Sequence, residues 1–403
     1  MTSFATHLEC SRCQEDFPLE QIQQVCKSDG GPLLVRYDLR RVRDSVTKDA
    51  LRERPETLWR YRELLPMASE EHVSLGEAMT PLNAAPCLGA EMDIPGLLIK
   101  DEGLLPTGTF KARGAAVGVT RARELRVGTL ALPSAGNAGA AWAAYGARAL
   151  MHVVVVMPET TPEVIVRETL AYGAEVYLVA GSIADAGAVV RRACERYGWY
   201  DASTLREPYR IEGKKTMGFE LAEQLGWRVP DVIVYPTGGG VGLIGMWKAF
   251  DELRAIGWLD AKKPRFVAAQ AEGCAPIVKA FAEGAHESET WPDPRTFAAG
   301  IRVPKALGDF IVLKALRDSA GIAVAVSERE IETAMEGAGG AEGMLICPEG
   351  GAAVAAASKL RREGWIRENE EVVIFNTGTG LKYAEFLQGS DARHLDANEL
   401  PDG

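Results

Sequence analysis

Three glycine-bearing turns, each placed directly after an apolar run of strand length, constrain this chain more than any other feature. Ser134-Ala135-Gly136-Asn137-Ala138-Gly139 follows residues 129–132, and Thr237-Gly238-Gly239-Gly240-Val241-Gly242 follows residues 231–235. Asn376-Thr377-Gly378-Thr379-Gly380 follows residues 371–375. Helix-forming stretches fill the gaps: 112–125, 140–149, 162–172 and 243–255 between strands at 97–100, 152–157 and 175–179. Strands alternating with helices imply parallel sheets covered by helices, hence an α/β fold. Such sheets bind ligands beyond the carboxyl ends of their strands, where all three turns lie.

The 403 residues allow two domains and a large core. A net charge of −11 argues against nucleic acid or an anionic membrane as main partner. Apolar runs such as Val153-Val154-Val155-Val156-Met157 are too short to cross a bilayer. The amino terminus lacks the basic start and apolar stretch of a signal peptide, and seven scattered cysteines fit a reducing cytoplasm.

Lys111 stands in Leu105-Pro106-Thr107-Gly108-Thr109-Phe110-Lys111-Ala112-Arg113-Gly114, where a loop turns into a helix. The positive end of the helix dipole and partial burial both favour the neutral amine, the form that reacts with an aldehyde. The Gly238–Gly242 loop offers clustered backbone N–H groups at a helix start, which suit a phosphate. Its glycine spacing fits neither a P-loop nor a dinucleotide fingerprint. An aldehyde and a phosphate on one molecule describe pyridoxal phosphate. The Ser134–Gly139 turn suits a carboxylate, the Asn137 amide a phenolic oxygen, and the Thr377 hydroxyl a pyridine nitrogen. Taken singly, these features are also a surface lysine, a connector, an N-cap and a turn threonine.

Residues 1–40 read as a separate ribbon-like element with Cys10-Ser11-Arg12-Cys13 and then Cys26-Lys27-Ser28-Asp29. Three thiolates and a carboxylate can hold zinc, or the ribbon is degenerate and folds without metal; no metal is assigned. Residues 41–75, broken by Pro55 and Pro66, are expected to form one or two helices. The expected division is a large domain of residues 41–114 and 209–390, a small one of 115–208, and an acidic, disordered tail of 391–403.

Together these motifs resemble the fold-type II enzymes of pyridoxal phosphate, the tryptophan synthase β-like group, and within it the threonine synthase family. The lysine segment is similar to that family's Pro-Thr-Gly-Ser-Phe-Lys-Asp-Arg-Gly. Tyr209-Arg210-Ile211-Glu212-Gly213-Lys214-Lys215-Thr216 resembles its His-Arg-x-Glu-Gly-Gln-Lys-Thr, and Thr377-Gly378-Thr379-Gly380-Leu381-Lys382 its Thr-Gly-x-Gly-Leu-Lys. The resemblance implies two open twisted parallel-sheet domains with the cofactor between them. It also implies a homodimer, and a lyase that makes threonine from O-phosphohomoserine and water.

By the same resemblance Lys111 would attach the cofactor and shuttle protons, beside Phe110. Gly238, Gly239, Gly240, Val241 and Gly242 would hold the phosphate, with Asn137 and Thr377 on the ring. Ser134, Ala135, Asn137 and Ala138 would hold the substrate carboxylate, and Arg210 its phosphate. Three positions depart from the pattern. Ala112 replaces an Asp, as in serine/threonine dehydratases. Thr204-Leu205 falls where the family has an Asn-Ser pair that binds substrate phosphate. Asp29 replaces a ribbon cysteine. A serine/threonine ammonia-lyase is the alternative activity, and a regulatory protein without turnover is a third reading.

Overall fold

The computed structural model describes residues 3–387; the expected tail at 391–403 lies outside them. Three short strands open the chain: β1 (Ala5–Cys10), β2 (Asp16–Phe17) and β3 (Leu33–Tyr37), antiparallel in the order β2-β1-β3. Two short helices, Leu39–Ser45 and Lys48–Arg52, follow, each capped by a side chain, Asp38 and Thr47 respectively. A kinked 3-10 segment, Leu58–Leu64, then lays Leu58, Trp59, Tyr61 and Leu64 into the core. Each piece starts at its own cap and Pro55 and Pro66 lie between or beyond them, so no long helix forms here.

Beyond this come β4 (Leu82–Ala84) and β5 (Leu97–Asp101), then β6 (Thr129–Pro133), β7 (His152–Pro158), β8 (Glu175–Val179) and β9 (Tyr200–Asp201). The last four form a parallel sheet of their own, ordered β8-β7-β6-β9. The chain then returns with β10 (Val232–Pro236), β11 (Arg265–Ala271), β12 (Ile322–Val326) and β13 (Val372–Asn376). These join β5 and β4 in a six-stranded sheet ordered β12-β11-β10-β13-β5-β4. It is parallel except for the edge pair β4–β5. Its central strands are buried along their whole length, as a sheet covered on both faces requires.

Helix Lys111–Glu124 links the two sheets. Its Ala112, Ala115, Ala116, Val117 and Val119 pack with Leu130, Leu132, Val153 and Val155 of the four-stranded sheet. The helix is continuous across the expected boundary at 114/115, so Lys111 belongs to the same rod that carries this core. Against it lies helix Arg210–Gln224. The two backbones nearly touch: a Cβ on Gly213 would lie 2.0 Å from the Arg113 carbonyl oxygen, and one on Gly114 2.8 Å from that of Arg210. Beneath this crossing is a fully buried ionic cluster. Arg113 bridges Glu102 (2.6 Å) and Glu220 (2.5 Å), and Lys100 reaches Glu220 at 2.9 Å. Charges this deep must pair, because no water reaches them.

Candidate active site

The lysine loop is held open by backbone geometry. Thr107 and Gly108 both adopt left-handed φ (61° and 64°), a costly choice for a β-branched threonine. The loop is pinned from the opposite side of the cleft. Thr109 forms a β-bridge with Gly378, the Phe110 N–H donates to the Thr377 carbonyl (3.0 Å), and Lys382 Nζ donates to that of Thr107 (3.1 Å). Helix 111–124 starts without a side-chain cap, and Lys111 stands at its first position, half-buried. Burial pushes the Lys111 amine down to about 8; Glu349 opposes this and Arg210 adds to it.

Lys111 opens into a narrow cleft of about 40 Å³ between the two sheets. Its lining brings together Phe110, Lys111, Asn137, Gly238, Gly239, Gly240, Val241, Gly242 and Thr377, which lie up to 267 positions apart in the chain (Phe110 to Thr377). Helix Val241–Ala255 begins at Gly240, in left-handed φ (76°), with no side chain capping its first turn. Those N–H groups therefore face the cleft free. A Cβ on Gly238 would lie 2.7 Å from the Gly300 carbonyl oxygen, so the cradle is built from bare backbone.

Asn137 reaches in from the other sheet. Its amide lies 2.9 Å from Tyr383 Oη, and its second amide atom is buried without a partner. Nδ2 donates to Tyr383, so the atom without a partner among the described residues is Oδ1, which suits a phenolic O–H; with the amide turned over, the NH2 would suit a phenolate. Among the described residues, the hydrogen-bond partner of Thr377 Oγ1 is the thiol of Cys347, at 3.6 Å. Burial and the Glu349 charge keep that thiol protonated, so it places no anion beside Thr377. An uncapped phosphate cradle, an unpartnered amide, a free hydroxyl and a lysine with a depressed pKa fit pyridoxal phosphate in four separate respects.

The remaining expected residues stand just outside the lining. Ser134 is folded back on its own turn. Its hydroxyl donates to the Gly136 carbonyl (2.7 Å) and accepts from the Gly139 N–H (2.9 Å), so helix Asn137–Arg148 starts three residues earlier than the alanine run suggests. Ala135 and Ala138 are half-buried beside it. Arg210 is buried, stacked 4.9 Å from the Trp142 ring. Its guanidinium donates to the Ala202 carbonyl and to Thr204 Oγ1 (2.9 Å), and its Nε makes no hydrogen bond among the described residues but lies 3.8 Å from Glu207 Oε2. Leu205 takes left-handed φ (62°) and is turned into the core. Ala112 is also a core position.

Two residues were not legible as site residues. Glu349, in the cleft wall, accepts the Gly300 N–H at 2.6 Å and so fixes the loop opposite the glycine cradle. Lys214, fully buried, donates to the carbonyls of Phe110 (2.5 Å) and Lys111 (3.0 Å). Burial and the neighbouring Lys111, Arg210 and Arg113 charges drive its amine well below the usual lysine range. Its position in Glu212-Gly213-Lys214-Lys215-Thr216 was the available signal.

Residues 73–378 match the family described as pyridoxal-phosphate dependent enzyme. The chain belongs to that family. It is 36% identical to the threonine synthase of Methanocaldococcus jannaschii, over 93% of this chain and 92% of that one. It is 37% identical to the threonine synthase of Methanosarcina acetivorans over the same shares. Among solved structures, maize serine racemase superposes with a TM-score of 0.65 at 24% identity, covering 75% of this chain and 88% of the racemase. That likeness concerns the fold, which is the expected fold-type II arrangement of the family. Among the described residues no helix is long and apolar enough to cross a membrane.

Proposed function

We propose that this enzyme is a pyridoxal-phosphate dependent lyase that converts O-phosphohomoserine and water to L-threonine and phosphate. The observation that carries the reading is the cleft: one lysine amine held near pH 8, facing a bare glycine cradle, in a chain similar to threonine synthases over nearly its whole length. When bound, pyridoxal phosphate supplies an electron sink that acidifies C–H bonds next to the substrate amine.

In this reading Gly238 to Gly242 hold the cofactor phosphate, aided by the positive end of helix 241–255. Asn137 binds the ring oxygen, and Thr377 offers the ring nitrogen a neutral partner. The free N–H groups of Asn137 and Ala138 take the substrate carboxylate at the start of their helix. Lys111 removes the proton at Cα and then one at Cβ, phosphate leaves from Cγ, and a proton is returned to Cγ to make the methyl group. Water adds at Cβ, and Lys111 returns a proton at Cα. An amine poised near 8 can both take and give protons at neutral pH. Arg210, whose Nε makes no hydrogen bond among the described residues and lies 3.8 Å from Glu207 Oε2, is assigned to the substrate's phosphate by resemblance. We infer a homodimer and a cytoplasmic location by resemblance.

Ammonia loss from serine or threonine is the second reading, favoured by Leu205, a side chain without a donor that is packed away in the core. Phosphate release from O-phosphohomoserine, run beside 2-oxo acid formation from L-threonine and L-serine, decides between them. Phosphate with stoichiometric threonine supports the synthase. Oxo acid without phosphate overturns it.

A further inference from the structure

The N-terminal ribbon contains two turns of the same design. In the first, Cys10-Ser11-Arg12-Cys13, the Arg12 N–H points at Cys10 Sγ (3.4 Å), and Gln14 follows in left-handed φ (64°). In the second, Cys26-Lys27-Ser28-Asp29, the Ser28 N–H points at Cys26 Sγ (3.4 Å), and Gly30 follows in left-handed φ (71°). Each turn thus offers a sulfur supported by a backbone donor, and a second ligand three residues later.

The two turns face each other. Cys13 Sγ lies 3.6 Å from Cys26 Sγ, and Cys10 Sγ lies 3.3 Å and 3.6 Å from the two Asp29 oxygens. One ligand atom from each of the four residues lies within 4.8 Å of all the others. Sulfurs bound tetrahedrally at about 2.3 Å from zinc are about 3.8 Å apart, so the spacing needs little adjustment. Gly31 leaves the room: a Cβ there would lie 2.9 Å from both Cys10 Sγ and Asp29 Oδ1. Cys10 and Cys26 are buried, while Cys13 and Asp29 face solvent, so the site is reachable. The nearby grouping of His7, Glu9 and Asp16 differs, because Arg36 already binds Glu9 and His7 pairs with Asp16 (3.3 Å).

We propose that Cys10, Cys13, Cys26 and Asp29 form a structural zinc site, with Asp29 as the fourth and most exchangeable ligand. Zinc accepts three thiolates and one carboxylate in a closed tetrahedron. The site closes the ribbon, whose own apolar core is small for an independent fold. It also sets Arg12, which leaves the first turn to lie 4.0 Å from the Phe310 ring centre and 2.5 Å from Glu287 Oε1. Phe310 and Glu287 flank the segment that carries Gly300 and Ile301 of the cleft. Metal in the ribbon therefore braces one wall of the active site from behind.

The test is the metal content of the full chain, purified under reductant, offered zinc, and exchanged into metal-free buffer. One zinc per chain is expected, with no matching iron. Cobalt(II) in its place should give a thiolate-to-metal charge-transfer band and tetrahedral visible bands. Asp29→Cys should slow zinc loss to a chelator by at least tenfold, and Asp29→Ala should speed it. These two variants leave all three thiols in place, and the wild-type measurement stands without either of them. Less than about a tenth of an equivalent of zinc after loading, or zinc retained equally by a Cys13→Ser/Cys26→Ser chain, overturns the proposal.

Discussion

Lys214 Nζ donates to the main-chain carbonyl of Lys111, 3.0 Å away, while also holding that of Phe110. The amine that fixes the Lys111 backbone is itself a lysine, its pKa drawn well down by burial and neighbouring cations. Lys214→Met removes both hydrogen bonds and keeps most of the volume. It should lower kcat by roughly tenfold to a hundredfold, since small displacements of a proton-transfer group are costly. Steady-state kinetics and visible absorbance check this: unchanged kcat would remove the positioning role, whereas lost absorbance would show cofactor loss instead.

Lys111→Ala should abolish covalent capture of the cofactor and the visible band that accompanies it. In the wild-type apoenzyme, capture requires the neutral amine. Its rate should rise with pH and level off above about 8, the value to which burial lowers Lys111. Stopped-flow absorbance at several pH values reads this directly. A rate still climbing towards the ordinary lysine range near 10.5 would contradict the assigned environment.

Glu220 gives the chain an acid limit. Burial raises its pKa, but Arg113 and Lys100 overcome this and bring it down to about 2. A carboxylate lowered on folding stabilises the protein above its unfolded pKa, and that contribution fades as pH falls from about 4.5 towards 2. Glu220→Gln leaves Arg113 and Lys100 short of a counter-charge in a dry interior. It should cost about 3–5 kcal/mol at neutral pH and flatten the loss below pH 4.5. Urea unfolding across that range is the measurement.

Gly213→Ala places a methyl 2.0 Å from the Arg113 carbonyl oxygen, at the crossing of two rigid helices. The helices must separate, at a cost of about 1–3 kcal/mol or more. Gly337→Ala meets nothing nearer than a leucine methyl at 3.8 Å, within a helix. It should be neutral or stabilising, because alanine is the better helix former. Thermal midpoints of the two variants compare the effects.

Lys382 joins the two halves of the cleft: Nζ lies 2.5 Å from Glu168 of helix Glu163–Ala171 and 3.1 Å from the Thr107 carbonyl. If the four-stranded unit closes over substrate, this pair holds the closed form. Lys382→Ala should raise KM about fivefold, the equivalent of ~1 kcal/mol for a half-buried pair. Equal KM in both forms would separate the pair from closure.

The residues proposed to hold the cofactor were legible because each sits in a strand–turn unit. Lys111, the Gly238–Gly242 cradle, Asn137 and Thr377 needed only a parallel sheet to bring them together. Lys214 and Glu349 act through partners over a hundred and about fifty positions away respectively, and no local pattern marks them as donor and acceptor for a distant loop. Ser134 is the opposite case: a hydroxyl that looks available in sequence is engaged in its own turn. Asp29 was legible from spacing as replacing a ribbon cysteine, but that its oxygen comes within reach of three sulfurs needed the facing of the two turns.

The uninterrupted helix from Lys111 to Glu124 makes the reactive amine the tip of a lever whose shaft lies in the four-stranded core. A substitution that repacks Val117 or Val119 to change how that sheet receives a substrate also re-aims the amine at the other end. Under the proposed roles, substrate choice and proton transfer are geared together. Attempts to retune one should screen second-site changes along the shaft to restore the other.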